Sequence, residues 1–510
     1  MTGMLEYPTL GKLGFTVTGL PQTEAVHHGA DSRGPRFGGW TPADYGPNTA
    51  SCLSRPMLRS RSRQQVRDNP LALSAKEQYV TNVVGAGFRP KLVNVDPGLE
   101  REIKTEWRND CAEIDAEGEQ SFDGMVALAV SAMFESGEVL ARRVFERDFI
   151  GTPISVQLLE PDHLDHMRSD IPGRNVRDGI EFDGRKRKAY HLLRKHPGES
   201  DELPSGQVDV VPAADIIHMY RKSRPGQRRG LPHLHAALTR LYQLDLYQDA
   251  ELERKKQAAQ VVGFISSQLG DINPAEIFPT NVPQETWVDV RNQFYSAVNK
   301  LKTGTWNVLA PGDKTEFNQA QDVGANYEVF LRKVQQEIAA SGNVTYEQMT
   351  GDMRGVNYSS ARVRLIDVRR GFEMTQMQIV CHTLCRTMWQ WWLTGKLAAG
   401  LLRIPNFERI KAALSNPLWI PDPFDSVDLL KETLRDIAET RAGFTSLPHQ
   451  QAKRGHHPDD LLSEQADSNQ KLDAAGLIFD SDPRATTGSG SMQALAAAEA
   501  QPAQTNEDNT

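Results

Sequence analysis

Two periods of hydrophobic residues alternate along the first half of the chain. Apolar side chains three and four residues apart over 71–83 and 122–133 predict two helices. Apolar side chains at every second position predict four short strands: VLARRVFERD, ISVQLLEPDHLDH, KAYHLLRKH and ADIIHMYRK. Residues 121–222 are therefore predicted to form an α+β block with antiparallel strands.

A stalk that carries a compact tip is predicted for the middle of the chain. One helix is predicted to begin near residue 230 and to run for ~25 residues, which at ~1.5 Å per residue spans roughly 40 Å. A second amphipathic helix is predicted over 326–341, and the longest helix from about 359 to 393. The insert between the first two helices is predicted to contain a strand, a short helix and a hairpin with its turn at Pro311-Gly312-Asp313: VVGFISS, ETWVDVRNQFYSAVNKL and TGTWNVLAPGDKTEFN.

Both ends of the chain lack clear periodicity. Residues 1–50 are rich in Gly, Pro and Thr and predict an extended arm or a poorly ordered segment. The chain becomes rich in Gln, Asp, Ser and Ala after 440, and we predict disorder past about residue 483, because too few apolar side chains remain there to form a core.

Composition and charge exclude some classes of protein. A length of 510 residues predicts about two to four subdomains, and a formal net charge of −8 argues against a bulk nucleic-acid binder. The cysteines Cys52, Cys111, Cys381 and Cys385 lack zinc-ligand spacing, so the last two are predicted to be small buried side chains in a reducing compartment. Polar residues interrupt the most apolar long segment, 374–393, and no signal peptide or membrane span is predicted.

One acidic and histidine-rich turn is the best candidate for metal chemistry. The stretch EPDHLDH offers carboxylate and imidazole ligands for a divalent metal: Glu160, Asp162, His163, Asp165 and His166. The same residue types also end strands, where Asp caps backbone amides, and PHLH at 232–235 is weaker still. Phosphate-loop and nucleophile-elbow motifs are absent from the sequence. We predict no catalytic residue, cofactor or metal, and the alternative is a metal-dependent nuclease or hydrolase that uses the Glu160–His166 cluster.

An arginine cluster precedes the first predicted helix. It consists of Arg59, Arg61, Arg63 and Arg67. These side chains either contact DNA or another subunit, or they form a solvated helix face. The sequence leaves both interpretations open.

The stretch TGDMRGVNYSS, residues 350–360, predicts a loop between two helices. Gly351 and Gly355 do not have phosphate-loop spacing, and no predicted strand precedes them. The loop is either a plain linker or a projection whose side chains contact a passing molecule. We favour the projection, with contacts from Met353, Arg354, Asn357 and Tyr358.

Six stretches keep their order and spacing across about 55–395: RSRQQVRDNPLALSAKEQYVTNVVGAGFRP, FDGMVALAVSAMFESGEVLARR, LLEPDHLD, IIHMYRKSRPGQRRGLPHL, AELERKKQAA and YEQMTGDMRGVNYSSARVRLIDVRR. Each stretch alone is a weak signal. Together they resemble the lambda-type family of phage portal proteins. The resemblance carries little of the two ends, roughly 1–50 and 415–510.

The resemblance implies a multidomain α+β portal fold with wing, stem, clip and crown regions, built from long α-helices and small antiparallel β modules. The helix with Met388, Trp389, Trp391 and Trp392 would enter the crown. By position, the implied regions are an N-terminal arm (1–54), a first wing part (55–230), a stem helix (231–259), a clip (260–322), a second stem helix (323–343), a tunnel loop with a long wing helix (344–375), a crown (376–440) and a largely disordered C-terminal region (441–510).

The resemblance also implies a function. Portal subunits form a ring, usually of twelve copies, at one capsid vertex of a virion that is assembled in the host cytoplasm. Terminase pumps double-stranded DNA through the channel, and the genome later leaves through it. The implied partners are further copies of the chain, double-stranded DNA, terminase, the major capsid protein and head-tail adaptor proteins, with no membrane and no enzymatic activity. Portal proteins also nucleate capsid assembly.

Two sets of residues follow from the implied architecture. Each phosphate that Lys or Arg holds strengthens binding to any DNA sequence, so a channel that passes DNA is expected to be acidic or neutral, with sparse contacts such as Arg354. The DNA-facing tunnel loop is predicted to contain Asp352, Met353, Arg354, Gly355, Val356, Asn357 and Tyr358. Packing within the stem is predicted for Leu238, Leu241, Phe330, Val334 and Ile338.

Overall fold

The structure is a computed structural model that describes residues 44–145, 151–169, 171–199, 207–260, 264–267, 289, 313–316, 326–424 and 429–477. The predicted arm before residue 44, nearly all of the short helix predicted in the insert and the tail predicted to be disordered lie outside these residues. The described chain combines long helices with small antiparallel sheets. The predicted α+β fold class is therefore confirmed.

Three helices begin the described chain: α1 (Pro47–Cys52), α2 (Arg55–Asp68) and α3 (Pro70–Val84). The Asn69 side chain accepts hydrogen bonds from the backbone N–H groups of the next two helical residues, and the proline that follows it suits the first helical position. This cap separates α2 from α3. The helix predicted over 71–83 is confirmed, and its spacing buries Ala72, Ala75, Tyr79 and Val83.

A second group of elements packs on these helices: β1 (Phe88–Lys91), α4 (Pro97–Asp110) and α5 (Phe122–Ser136). The helix predicted over 122–133 is confirmed as α5. It ends at Gly137, whose φ of 90° lies in the left-handed region, and a Cβ there would collide with the backbone of Leu231. Glycine is thus required where α5 passes the chain that leads to the stalk.

Two antiparallel sheets follow: β2 (Glu138–Phe145), β3 (Ile154–Leu159), β4 (Val176–Arg177), β5 (Ile180–Asp183), β6 (Lys186–Leu193), β7 (Val208–Pro212) and β8 (Ile216–Tyr220). One sheet has the order β3-β2-β8 and the other the order β4-β5-β6-β7. The four strands predicted from period-two patterning are confirmed as β2, β3, β6 and β8. A small separate core of Leu140, Leu164, Tyr190 and Leu192 lies between the sheets.

The predicted stalk helices are α6 (Leu238–Gln260) and α7 (Asn326–Gly342). The prediction for α7 is confirmed, but the predicted start of α6 near 230 is wrong. Residues 233–237 form turns, and the Pro232 carbonyl accepts hydrogen bonds from the His235 backbone N–H at 3.1 Å and from His235 Nδ1 at 2.9 Å. Within the insert, β9 (Phe264–Ser267), in the predicted VVGFISS strand, pairs with β10 (Asp313–Glu316), so Asp313 lies in a strand rather than in the predicted turn.

A long helical run follows the loop after α8 (Tyr346–Thr350): α9 (Tyr358–Thr375), a π-helical segment (Gln376–Cys385) and α10 (Arg386–Ala398). The predicted longest helix is confirmed and extends beyond 393. The crown boundary at 376 stays a prediction, and it falls inside this run. The rings of Trp389 and Trp392 are buried and lie 5.1 Å from the ring of Trp107 on α4. This part of the run therefore packs on the main core.

The described chain ends with α11 (Phe407–Ser415), β11 (Leu418–Pro421), α12 (Leu429–Arg441), α13 (Leu447–Lys453) and α14 (Pro458–Ala475). Strand β11 pairs with β1. Lys104 Nζ on α4 lies 2.8 Å from a carboxylate oxygen of Asp460, and His457 Nε2 lies 3.1 Å from Glu100 Oε1. Residues 442–477, which the sequence did not indicate as helical, thus dock on α4 through charged groups.

The cysteine and membrane predictions concern described residues. All four cysteines are free thiols, and Cys381 and Cys385 are buried, as predicted. Burial raises the pKa of the Cys385 thiol well above its usual value. No helix in the described ranges has both the length and the hydropathy that a bilayer crossing requires.

Candidate functional site

The predicted tunnel loop, residues 351–357, leaves a short and well-capped helix. Thr345 and Gln348 form a reciprocal capping box at the start of α8, with hydrogen bonds of 3.1 and 3.0 Å. The Ser74 hydroxyl of α3 donates to the Met349 carbonyl at 2.8 Å. Gly351, with a φ of 70°, then ends the helix in the left-handed region. The base of the loop is therefore fixed to the core.

Asp352 organises the loop through four hydrogen bonds. Its Oδ1 accepts from the Arg354 backbone N–H at 3.0 Å and from Arg354 Nε at 2.9 Å. Its Oδ2 accepts from the Tyr346 hydroxyl at 2.9 Å and from Arg354 Nη2 at 3.2 Å. The hydrogen bonds from Arg354, followed by that from Tyr346, lower the pKa of Asp352 below its ordinary range, so this carboxylate is ionised near neutral pH.

Arg354 is exposed but not isolated. Its side chain is 73% exposed, and Nη1 lies 2.9 Å from Glu328 Oε1 on α7. The carboxylates of Asp352 and Glu328 raise the pKa of the Arg354 guanidinium. The Arg354 carbonyl also accepts a hydrogen bond from Arg332 Nη2 at 3.0 Å. The loop thus presents a guanidinium whose charge two carboxylates already offset.

The other predicted loop residues occupy different environments. Met353 is 63% exposed, Gly355 has a φ of 73°, Val356 is half-buried and Asn357 is exposed. Tyr358 is the first residue of α9. No strand precedes the loop among the described residues from 326 onward, and the loop connects two helices, as the sequence predicts.

The predicted stem residues fall into two groups. Leu238, Leu241 and Ile338 are buried in the main core of the chain itself. Val334 is half-buried, and Phe330 is 52% exposed, with its ring 5.5 Å from that of Tyr247 on α6. The ends of α6 and α7 nearest the core are therefore packed within the chain, whereas the more distant parts leave apolar side chains exposed.

The acidic turn at 160–166 holds arginines. Asp162 lies 2.9 Å from Arg59 Nη1 and 2.7 Å from Arg63 Nη2, and Glu160 lies 2.7 Å from Arg63 Nη2. Burial alone would raise the pKa of Asp162, but these two arginines lower it. The histidine that joins the two carboxylates is His196, not one of the turn itself. The cations of α2 thus occupy the oxygens that a metal would need.

Neither interpretation of the arginine cluster fits Arg59 and Arg63, because both pair with carboxylates of the same chain. Arg59 is 4% exposed and also lies 3.3 Å from Glu138 Oε1, while Arg61 and Arg67 are exposed. The spacing of the cluster places Arg59 and Arg63 one helical turn apart, toward the acidic turn and β2.

The sequence gave no signal for the most buried charge in the described chain. The Glu138 carboxylate is fully buried and accepts from Arg229 Nε at 2.9 and 3.0 Å, from the Gly230 backbone N–H at 2.9 Å and from His218 Nε2 at 2.9 Å. Burial alone would raise the pKa of Glu138, but Arg229 and His218 hold it well below its usual range. This network fixes the chain just before α6 to the centre of the β3-β2-β8 sheet.

The comparison with protein families decides the assignment. The model of the family described as "Phage portal protein, lambda family" matches residues 33–376, which is well over half of the chain. The chain belongs to the lambda family of phage portal proteins. The match contains α6, α7, the 351–357 loop and the buried network around Glu138.

Relatives within the portal family match nearly the whole chain. Portal protein B of Escherichia phage lambda is 24% identical over 90% of this chain and 92% of its own length. The portal protein of Escherichia phage N15 is 23% identical over the same shares of the two chains. The probable portal protein of Halomonas phage phiHAP-1 is 26% identical over 82% of this chain and 81% of its own length.

Two solved structures resemble the chain. A chain from the neck of the empty gene transfer agent particle has a TM-score of 0.46 and 15% identity, over 82% of this chain and 97% of that one. An HK97-family phage portal protein from Corynebacterium diphtheriae has a TM-score of 0.27 and 12% identity, over 64% of this chain and 86% of that one.

The alternative prediction of a nuclease or hydrolase is not supported. The family and its curated relatives are portal proteins. The carboxylates on which that prediction depended, Glu160 and Asp162, form ion pairs with Arg59 and Arg63.

Proposed function

We propose that the chain is the portal subunit of a virion, forming a ring of about twelve copies at one capsid vertex. Terminase would drive double-stranded DNA into the capsid through this ring, and the genome would leave by the same channel. The ring would also nucleate capsid assembly and bind the major capsid protein and the head-tail adaptor proteins. In this assignment α6 and α7 are the stem helices, and the 351–357 loop faces the channel.

Exposed apolar side chains on the helix pair carry the ring proposal. They lie on α6 and α7 and have exposed fractions of 58%, 52%, 67% and 52%: Tyr242, Leu246, Val329 and Phe330. Tyr242 and Leu246 are one helical turn apart and so share a helix face. Clustered exposed apolar groups mark association sites, and permanent interfaces between identical subunits are large and apolar. Neighbouring copies of the same helix pair would cover them.

The charge of the 351–357 loop supports a channel-facing role. Arg354 is exposed, but Asp352 and Glu328 share its charge. A ring of unpaired arginines would hold phosphates and slow the duplex, because each retained phosphate contact adds to binding that is independent of sequence. A paired guanidinium provides a weak contact that DNA can pass.

Imaging of the purified protein tests the ring. We expect negative-stain micrographs of the wild type to show rings with a central hole, and light scattering to give a mass of about twelve subunits. Val329→Glu places a charge on the exposed apolar surface and should shift the protein towards single subunits with unchanged circular dichroism. Val329→Thr, which keeps the branched shape, is the matched control and should still form rings. A wild type that remains a single compact chain would refute the ring.

Packaging in an infected cell tests the loop. Arg354→Glu should leave the rings intact but reduce the yield of DNA-filled capsids, because it adds negative charge where the duplex passes. Arg409→Glu, at an exposed arginine of α11, is the matched control. Equal packaged DNA length and yield for both variants would remove the loop from the mechanism.

A further inference from the structure

A cavity of about 750 Å³ lies beside the π-helical segment. Its lining combines apolar side chains with two basic residues near its mouth: Met133, Leu231, Ile379, Arg221 and Lys222. Cavities of this size receive ligands or large side chains. The mixed lining suits an amphipathic aromatic group, which has an apolar ring and one polar atom.

One polar atom in the cavity wall lacks a partner. The His233 ring packs against Phe134 and Tyr79, with centroids 4.9 and 4.7 Å apart, and a hydrogen bond to the Gly342 backbone also acts on it. Within the part of the chain that the structure describes, the buried Nε2 has no hydrogen-bond partner. Burial lowers the pKa of His233 to about 4, so the ring is neutral at pH 7. With the other nitrogen donating to Gly342, Nε2 is an acceptor that awaits a donor.

The described chain begins at the rim of this cavity. Arg224 Nη1 donates to the Tyr45 carbonyl at 3.1 Å, and Asn48 Nδ2 donates to the Gly226 carbonyl at 3.0 Å. Arg224 and Gly226 belong to the loop 223–228, whose residues Ser223 and Gln227 line the cavity. The 43 residues before Asp44 therefore leave the described fold next to the mouth of the cavity.

We propose that Trp40 of the same chain occupies this cavity and donates its indole N–H to His233 Nε2. Trp40 precedes Tyr45 by five residues, a stretch that can span up to roughly 17 Å. Tryptophan combines a large apolar ring with a single donor, which matches an apolar cavity with a single acceptor. Gly38 and Gly39 before it allow the close approach of the backbone that entry into a cavity requires. The proposal does not depend on ring formation.

Photo-crosslinking of the full-length protein tests the placement. p-Benzoylphenylalanine at position 40 keeps an aromatic side chain, and on irradiation it should couple to peptides that contain 221–236 or 374–383. The product should migrate as a single subunit, because the proposal places the arm in the cavity of its own chain. The same group at Tyr7, far from the rim, is the matched control and should give at least ten-fold less of these products. Coupling elsewhere, or coupling between two chains, would overturn the proposal.

Melting temperatures test the hydrogen bond. Trp40→Phe retains an aromatic ring but removes the N–H, and Trp40→Ala empties the cavity, so the melting temperature should fall in the order wild type, Trp40→Phe, Trp40→Ala. In the His233→Phe background the wild-type and Trp40→Phe proteins should melt together, because no acceptor remains. Equal melting temperatures for the wild type and Trp40→Ala would overturn the proposal.

Discussion

Glu138→Gln removes the charge at the centre of the buried network that fixes the base of the stalk. The carboxylate is 0% exposed, and the side chains of its partners Arg229 and Arg59 are 0% and 5% exposed. Each of its two oxygens accepts from at least two donors. The amide of a glutamine supplies one oxygen and one NH₂ group, so one set of these donors would face another donor.

The expected loss of unfolding free energy is about 3–5 kcal/mol, the range found when one member of a buried ion pair is removed. Solvent screening, which reduces surface pairs to at most about 1 kcal/mol, does not apply at these exposures. Because domains are stable by only about 5–15 kcal/mol, this loss is a third or more of the total. Arg229→Met in addition should restore part of it, since the uncompensated cation is then gone.

Urea unfolding of unassembled subunits at low concentration, followed by circular dichroism and by hydrogen exchange of β2, measures the loss. Glu408→Gln on α11 is the matched control, because that carboxylate is 82% exposed and its partner Lys411 is 3.5 Å away. The control should change the free energy by less than about 0.5 kcal/mol. A loss below about 1 kcal/mol for Glu138→Gln would refute the view that the ion pairs hold the base of the stalk.

Three further predictions concern single groups. Burial lowers the pKa of His457, so undocking of α13 and α14 takes up a proton; their amide exchange should accelerate as the pH falls through about 6.5, and constant exchange would contradict this. Burial raises the pKa of Cys385, so a thiol reagent should label the half-buried Cys52 first in native protein and both in urea, and the reverse order would contradict this. Gly137→Ala should cost more than the roughly 1 kcal/mol expected at Gly118, where φ is also positive but a Cβ meets nothing, as calorimetry of the two variants would show.

Local pattern predicted most of the elements correctly. The Asn69–Pro70 pair and the period of 71–83 were enough for α3, because a cap and an apolar stripe lie within a few residues of each other. The start of α6 was placed too early for the same reason. Proline near residue 232 normally opens a helix, but here the chain is held by contacts with Phe134, whose carbonyl accepts from the His233 backbone N–H at 2.8 Å.

The buried network was beyond the reach of the sequence because its members are far apart along the chain. Arg59 and Arg229 lie 79 and 91 residues from Glu138. A glutamate at the start of an amphipathic strand is ordinarily solvent-exposed, and only its partners make burial affordable. The same limit applies to the acidic turn: its residues suited a metal until the fold brought Arg63 to them.

Position along α6 decides whether a substitution acts on the fold or on assembly. Leu241 was predicted to pack in the stem, but it is fully buried in the core of its own chain, so a charge there would unfold the subunit before it could affect a ring. Leu246, little more than one turn further on, is 52% exposed and has no comparable role in the core. A series of charged substitutions along α6 should therefore lower the melting temperature at positions near 241 and reduce ring formation at positions near 246. If both effects appeared together at every position, the division of the helix between core and interface would be wrong.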